Sequence, residues 1–281
     1  MSKTCVLTDE MAQFLDLSFS GQELVHLMPV QVIYDGPLPE GAGDLRVHHL
    51  PSAKSRAPLP DLKAPSVEQY VQAFANLSKT YNEIVAILPA AGLTKSFENA
   101  AQAVELTRGQ SKVMLVDTQA VGVGQGVLAA AAAQRADTGG RAADIKRDLL
   151  GLSARVYAVF CIKNLAYLVR LKLASPAQAL IGEMLEVQQL YYLNAGTLVP
   201  VQKIRNSRHM VESVLEFVAE FDEPLQVALQ QSAIGYHQEA RTIRERLNEE
   251  HPQLRISEMA PSLPMGALFG PQAFGLYLWE I

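Results

Sequence analysis

The chain has 281 residues, 49% of them hydrophobic and 19% charged, the make-up of a globular protein, and at roughly 150 residues per domain its length points to two units. Its 29 acidic against 24 basic residues give a net charge of −5 with no basic stripe, so no nucleic acid is expected as a partner. Cys5 and Cys161 each lie in an apolar run and support neither a disulfide framework nor a metal site. No window reaches about 18 apolar residues, since Val127 to Ala133 is broken by Gln134, Arg135 and Asp137, and residues 1–15 carry no secretory or transit pattern. A cytoplasmic, reduced protein with no stable membrane insertion is the expectation.

In chain order, Cys5-Val-Leu-Thr-Asp9 reads as a short buried strand, and Met11, Phe14 and Leu15 behind it suggest a helix. Residues 29–34 are rich in β-branched side chains and stop at the turn signal Asp35-Gly36-Pro37, which makes them a second strand. Residues 35–65 hold many Pro and Gly and no helical period, and predict a long surface excursion. Pro65-Ser66 then caps an amphipathic helix whose Val67, Tyr70, Val71, Phe74 and Leu77 recur at spacings of three and four.

Glu83–Leu88 is the next strand, followed by the loop Pro89-Ala-Ala-Gly-Leu93 and a helix opened by Thr94-Lys95-Ser96. The order repeats with a strand at 112–117, a loop holding Gly122, Gly124 and Gly126, and an alanine-rich helix from near Val127. Strand, loop and helix in alternation is the grammar of a parallel sheet. A charged helix at 142–152 closes this half, and the aromatic, β-branched run Val156–Ile162 opens another. The expected domains are therefore 1–153 and 154–281, an N-terminal and a C-terminal α/β lobe.

The second half carries a helix at 164–170, strand candidates at 184–187 and 190–193, and a hairpin turn at Asn194-Ala-Gly196 leading into a strand at 198–204. Helices at 208–221 and 236–249 flank a short strand at 224–229, and the C-terminal segment reads as strand, Gly-Pro loop and final strand at 273–281.

Thr94-Lys95-Ser96 sits at a strand-to-helix turn, where free backbone N–H groups, two hydroxyls and an ammonium suit a carboxylate or phosphate. The same residues equally suit a plain helix cap with a solvated lysine. No phosphate loop of the GxxxxGK[ST] kind is present, because both glycines are missing. Asp9 and Asp117 each end a strand at the carboxyl edge of the sheet, where ligands gather, although an Asp there also bonds its own turn. The spacing of Gly122, Gly124 and Gly126 fits close helix packing better than a dinucleotide loop. Six histidines offer no ligand set at metal spacing, and no cofactor is expected.

Several motifs in a fixed order resemble the DegV family from end to end: Val6-Leu-Thr8-Asp9, Pro65-Ser66, Leu93-Thr94-Lys95-Ser96-Phe97, Val116-Asp117-Thr118, Leu165-Ala-Tyr167-Leu168, Lys203-Ile-Arg205 and Gly270-Pro271. The resemblance implies a two-lobed α/β fold with a ligand cleft between an N-terminal parallel-sheet lobe and a C-terminal lobe. It implies a binding protein rather than an enzyme, with a long-chain fatty acid as ligand and a separate fatty acid kinase as partner. The family's carboxylate-binding serine becomes Thr94, whereas Leu62 and Leu268 stand where a threonine and a histidine are expected, the latter just before Gly270. Lys95 replaces a glycine, Gln272 another, and Leu171-Lys172-Leu173 replaces a GGR sequence associated with the kinase partner.

The expected lipid site is accordingly Thr94, Lys95, Ser96 and Lys63 with Leu62, Leu268 and Gly270, the two lysines forming a new clamp for the acid. The alternatives are a diverged paralogue without lipid, and an enzyme for a small phosphorylated or carboxylated metabolite using Asp9 or Asp117 as acid or base.

Overall fold

The computed structural model describes residues 3–38, 43–52, 55–109, 112–221 and 226–280. In order, its elements are β1 (Thr4–Asp9), β2 (Val25–Met28), β3 (Gln31–Ile33), β4 (Asp61–Lys63), α1 (Val67–Leu77), β5 (Glu83–Leu88), α2 (Ser96–Leu106), β6 (Val113–Asp117), α3 (Val123–Asp137) and α4 (Ala142–Ser153). There follow β7 (Val156–Ile162), α5 (Ala166–Arg170), α6 (Pro176–Met184), β8 (Gln188–Asn194), β9 (Thr197–Ile204), α7 (Ser207–Ala219), β10 (Gln226–Gln230), α8 (His237–Glu250), β11 (Arg255–Met259), α9 (Leu263–Phe269) and β12 (Ala273–Trp279).

The chain divides into two compact units, one of Met1–Gln31, Lys63–Arg155 and Ala195–Thr197, the other of Val32–Leu62, Val156–Asn194 and Leu198–Ile281. Residues 35–62, expected as a surface excursion, thus count with the second unit, and within them lie the 3-10 turn Val47–His49 and the start of β4.

The first unit is built on a parallel sheet in the order β2-β1-β5-β6. Every residue of β1 and β5 is buried, as a parallel strand covered on both faces must be. Tyr70 and Phe74 of α1 and Ala100 and Ala103 of α2 join Cys5, Leu7, Ile84 and Ala86 in one core. Helix α1 begins as its sequence implies, with Ser66 and Gln69 in a reciprocal capping box.

The second unit carries a six-stranded sheet in the order β11-β10-β12-β7-β8-β9, mixed in direction: β10 runs parallel to β11 and antiparallel to β12, and β7 is antiparallel to both β12 and β8. Phe274, Leu276 and Leu278 alternate along β12 into a core with α7 and α8. The intervening Gly275 and Tyr277 face the other way, toward Phe160, whose ring packs on Phe269 of α9.

Several local expectations are corrected. No helix forms around Met11 to Leu15: the chain turns, with the Ala12 N–H on Asp9 O at 3.0 Å, and the Gln13 N–H leaves for Gly122 O at 2.9 Å. Strand β2 was not anticipated, and the 29–34 strand shrinks to β3. Helix α3 starts at Val123 and takes in Gly124 and Gly126. Residues 184–187 are not a strand but the end and aftermath of α6, which Ser175, Pro176 and Gln178 start with a capping box. A short helix, α9, precedes the Gly-Pro loop. Of the strand expected at 224–229, residues 224 and 225 lie outside the described residues, as does residue 281. Among the described residues no helix is long and apolar enough to cross a membrane.

Candidate functional site

Strands β1 and β5 lie side by side, but the chain leaves them in opposite directions, from β1 to β2 on one flank and from β5 to β6 on the other. A parallel sheet opens a crevice outside the carboxyl ends of such a pair. Asp9 ends β1 there, and the loop 89–95 leaves β5 at the same edge.

Asp9 is fully buried, and its carboxylate gathers three segments. Oδ2 accepts the Ser96 hydroxyl at 2.6 Å, and Oδ1 accepts the Gln125 side-chain amide at 3.0 Å and the Met11 N–H at 3.2 Å. Ser96 and Gln125 sit in the first turns of α2 and α3, where the positive end of a helix dipole favours a carboxylate. Burial nonetheless pushes the Asp9 carboxyl above the usual range, against the pull of those hydrogen bonds. Gln125 also donates to Thr8 Oγ1 at 3.0 Å, and Thr8 in turn to Ile87 O at 2.6 Å. Among the described residues Gln125 Oε1 is buried without a hydrogen-bond partner, and burial together with the Asp9 charge raises the Tyr70 phenol, against the pull of Ser96.

The structure therefore divides the Thr94-Lys95-Ser96 triplet. The Ser96 hydroxyl serves Asp9 and the residue is only 1% exposed. Lys95 is solvated and paired with Glu98 of its own helix at 2.7 Å, and as the N-cap residue it makes no side-chain cap. Thr94 is half-buried, and among the described residues its hydroxyl is engaged by the Ser96 N–H at 3.4 Å. Lys63 is exposed at the end of β4. Asp117 bonds its own turn through the Gln119 N–H at 2.9 Å and the neighbouring loop through the Ala91 N–H at 3.3 Å.

In the second unit, Leu62 is half-buried on β4 and Leu268 is fully buried in α9. Gly270 holds φ +90°, and a Cβ there would meet the Tyr167 ring at 3.0 Å, so the position demands glycine. Tyr167 donates its hydroxyl to Pro51 O at 2.9 Å, and Arg170 donates to Ala267 O at 2.8 Å. This unit also contains a cavity of about 230 Å³ whose walls are mostly apolar, among them Leu165, Leu173, Ile181, Leu185, Val187 and Tyr191, with Gln178, Gln189 and Lys203 as polar members. Gln125, Tyr70 and Arg170 were not anticipated from the sequence. Only Gln125, in the first turn of a glycine-flanked helix, carried a usable signal.

The fold is similar to that of known proteins. A fatty acid binding DegV family protein from Streptococcus agalactiae matches with a TM-score of 0.84 at 20% identity, covering 100% of both chains. The Streptococcus pneumoniae Fatty Acid Kinase (Fak) B3 protein loaded with linoleic acid matches with a TM-score of 0.79 at 16% identity, covering 99% of each. In sequence, the Protein DegV of Bacillus subtilis is 26% identical over 277 residues, 96% of this chain and 97% of that one. The family model described as "Uncharacterised protein, DegV family" matches residues 3–280. With one family model spanning nearly the whole sequence, the chain belongs to the DegV family.

Proposed function

We propose that this chain binds a long-chain fatty acid and presents it to a separate kinase, without catalysing a reaction itself. The observation that carries the reading is the apolar cavity of about 230 Å³ in the second unit, in a chain whose structural neighbours include a protein loaded with linoleic acid. Burial of an acyl chain contributes about 0.8 kcal/mol per methylene, so apolar walls supply most of the affinity and the head group mainly orientation.

Within the first unit, Thr94 is the member of its triplet left to meet an acid group, since Ser96 is held by Asp9 and Lys95 by Glu98. Lys63 is exposed and is a second candidate for an acid group in the same unit. A separate kinase as partner is supported by the likeness to the Fak B3 protein. A reduced, cytoplasmic setting agrees with two buried free cysteines.

The enzyme alternative loses weight because Asp9, one of its two candidate acids or bases, is fully enclosed and already accepts three hydrogen bonds, and Asp117, the other, accepts the Gln119 and Ala91 N–H groups of its own and the neighbouring loop. Denaturing the purified protein and analysing an organic extract by mass spectrometry tests the proposal: a stoichiometric fatty acid is expected, and an empty extract would favour a diverged, ligand-free paralogue. Incubation with ATP and fatty acid alone should yield no acyl phosphate; product in that tube would overturn the non-catalytic part.

A further inference from the structure

Polar atoms in the wall of the second unit's cavity set what kind of chain it accepts. Along β8, Leu190 and Tyr192 turn into the core with α7, so the alternate residues Gln189 and Tyr191 turn to the opposite face of the sheet. On β9, Ile204 joins the same core, and Lys203 faces the other way. Gln189, Tyr191 and Lys203 all line the cavity, together with Ile181 and Leu185 at the end of α6.

Tyr191 is only 3% exposed, and among the described residues its hydroxyl has no hydrogen-bond partner. Burial pushes its phenol up to about 12, which keeps the proton in place as a donor. Gln189 is its complement. The side-chain nitrogen donates to Gln202 O at 2.9 Å and to Leu190 O at 3.3 Å, so two carbonyls fix which end of the amide is nitrogen and leave Oε1 as an acceptor. Lys203 is exposed, and water meets its charge.

A plain hydrocarbon tail filling the cavity displaces water from the Tyr191 hydroxyl and from Gln189 Oε1 and offers a partner to neither. A carboxylate only accepts, so it suits the tyrosine and opposes the glutamine oxygen. A hydroxyl does both, accepting from Tyr191 and donating to Gln189.

We propose, resting on the fatty-acid reading above, that this cavity selects a long-chain acid bearing a hydroxyl along its chain, with Tyr191 and Gln189 as the residues that recognise it. The apolar walls hold the chain, and the two polar side chains discriminate between a substituted and a plain one.

The test is calorimetric titration of the full, delipidated chain with stearate, 12-hydroxystearate, 18-hydroxystearate and octadecanedioate, for wild type and Tyr191→Phe. One of the hydroxy acids should bind wild type about tenfold or more tightly than stearate does, the scale of a buried hydrogen bond made rather than lost. Tyr191→Phe keeps the ring, and should erase that preference by tightening stearate while weakening the hydroxy acid, because stearate no longer strands a hydroxyl. Equal weakening of every ligand would reduce Tyr191 to a packing residue and overturn the assignment, as would a preference that survives the substitution. Wild type that binds stearate as tightly as both hydroxy acids, or prefers the dioate, overturns it too and leaves the fatty-acid reading standing. Wild type that binds none of these acids would bring down that reading, and this assignment with it.

Discussion

The Ser96 hydroxyl donates to Asp9 Oδ2 at 2.6 Å, across 87 residues of sequence, and joins the start of α2 to the end of β1. Losing that donor leaves a buried carboxyl short of a partner, at a cost of about 1–3 kcal/mol. Ser96→Ala should lower the urea midpoint accordingly. In an Asp9→Asn background the same change should cost less, because the acceptor is no longer a carboxyl group. Additive losses in this double-mutant cycle would show that the pair is not coupled.

Asp9 also predicts a pH dependence. Its folded pKa is raised by burial, so the unfolded chain ionises it first. The resulting stability is fully present below the ordinary carboxylate range and is lost as pH rises through the folded pKa, at no more than about 1.4 kcal/mol per pH unit. Asp9→Asn, which does not ionise, should therefore gain on wild type as pH is raised from about 4. A gap between the two proteins that stays constant with pH contradicts this.

Gly126 lies inside α3, where alanine would be favoured by about 1 kcal/mol on propensity alone. A Cβ there would sit 2.0 Å from Gln13 O, a backbone atom with little room to move. Overpacking of this kind typically costs about 1–3 kcal/mol, so Gly126→Ala should lower the melting temperature despite its better propensity. An unchanged or higher value would mean that the 11–15 segment yields freely.

Leu268 stands where the family resemblance implies a histidine, but it is fully enclosed in α9. Leu268→His would bury an imidazole among apolar neighbours at a cost of about 1–3 kcal/mol without a partner. The expected outcome is a less stable protein with no gain in fatty-acid affinity. Tighter palmitate binding by this variant would show that α9 can open to let the ring reach the ligand.

Burial pushes both the Cys5 and the Cys161 thiol up to about 12. Neither should react with a disulfide reagent in the native protein, and both should titrate after denaturation. One fast native thiol would point to local opening around its strand.

The sequence disclosed the elements whose signals are local. Ser66 with Gln69 marks α1, apolar runs mark β1 and β5, and the repeated strand-loop-helix order marks the parallel sheet. Helix α9 was hidden because Pro264 and Gly266 argue against a helix; the segment forms one under a Ser262 cap, with the Gly266 position packed tightly on Val47. Helix α6 did carry a cap signal in Ser175-Pro176, but the apolar residues about Met184 resembled a strand. In the candidate site, Thr94 and Ser96 were legible as a polar helix start, whereas their separate fates were not. Ser96 is committed by Asp9, 87 positions before it, and the same carboxylate holds Gln125, 29 positions after Ser96; no local pattern encodes such a meeting.

Strand β12 comes last in chain order yet sits between β10 and β7 in the six-stranded sheet. During synthesis those two strands emerge with their facing edges unpaired, and only the arrival of β12 joins them. The sheet consequently has a wedge rather than a growing margin as its final piece, and ribosome stalling or truncation before Ala273 should release two half-sheets exposed to aggregation, with chaperones engaged until the last strand inserts.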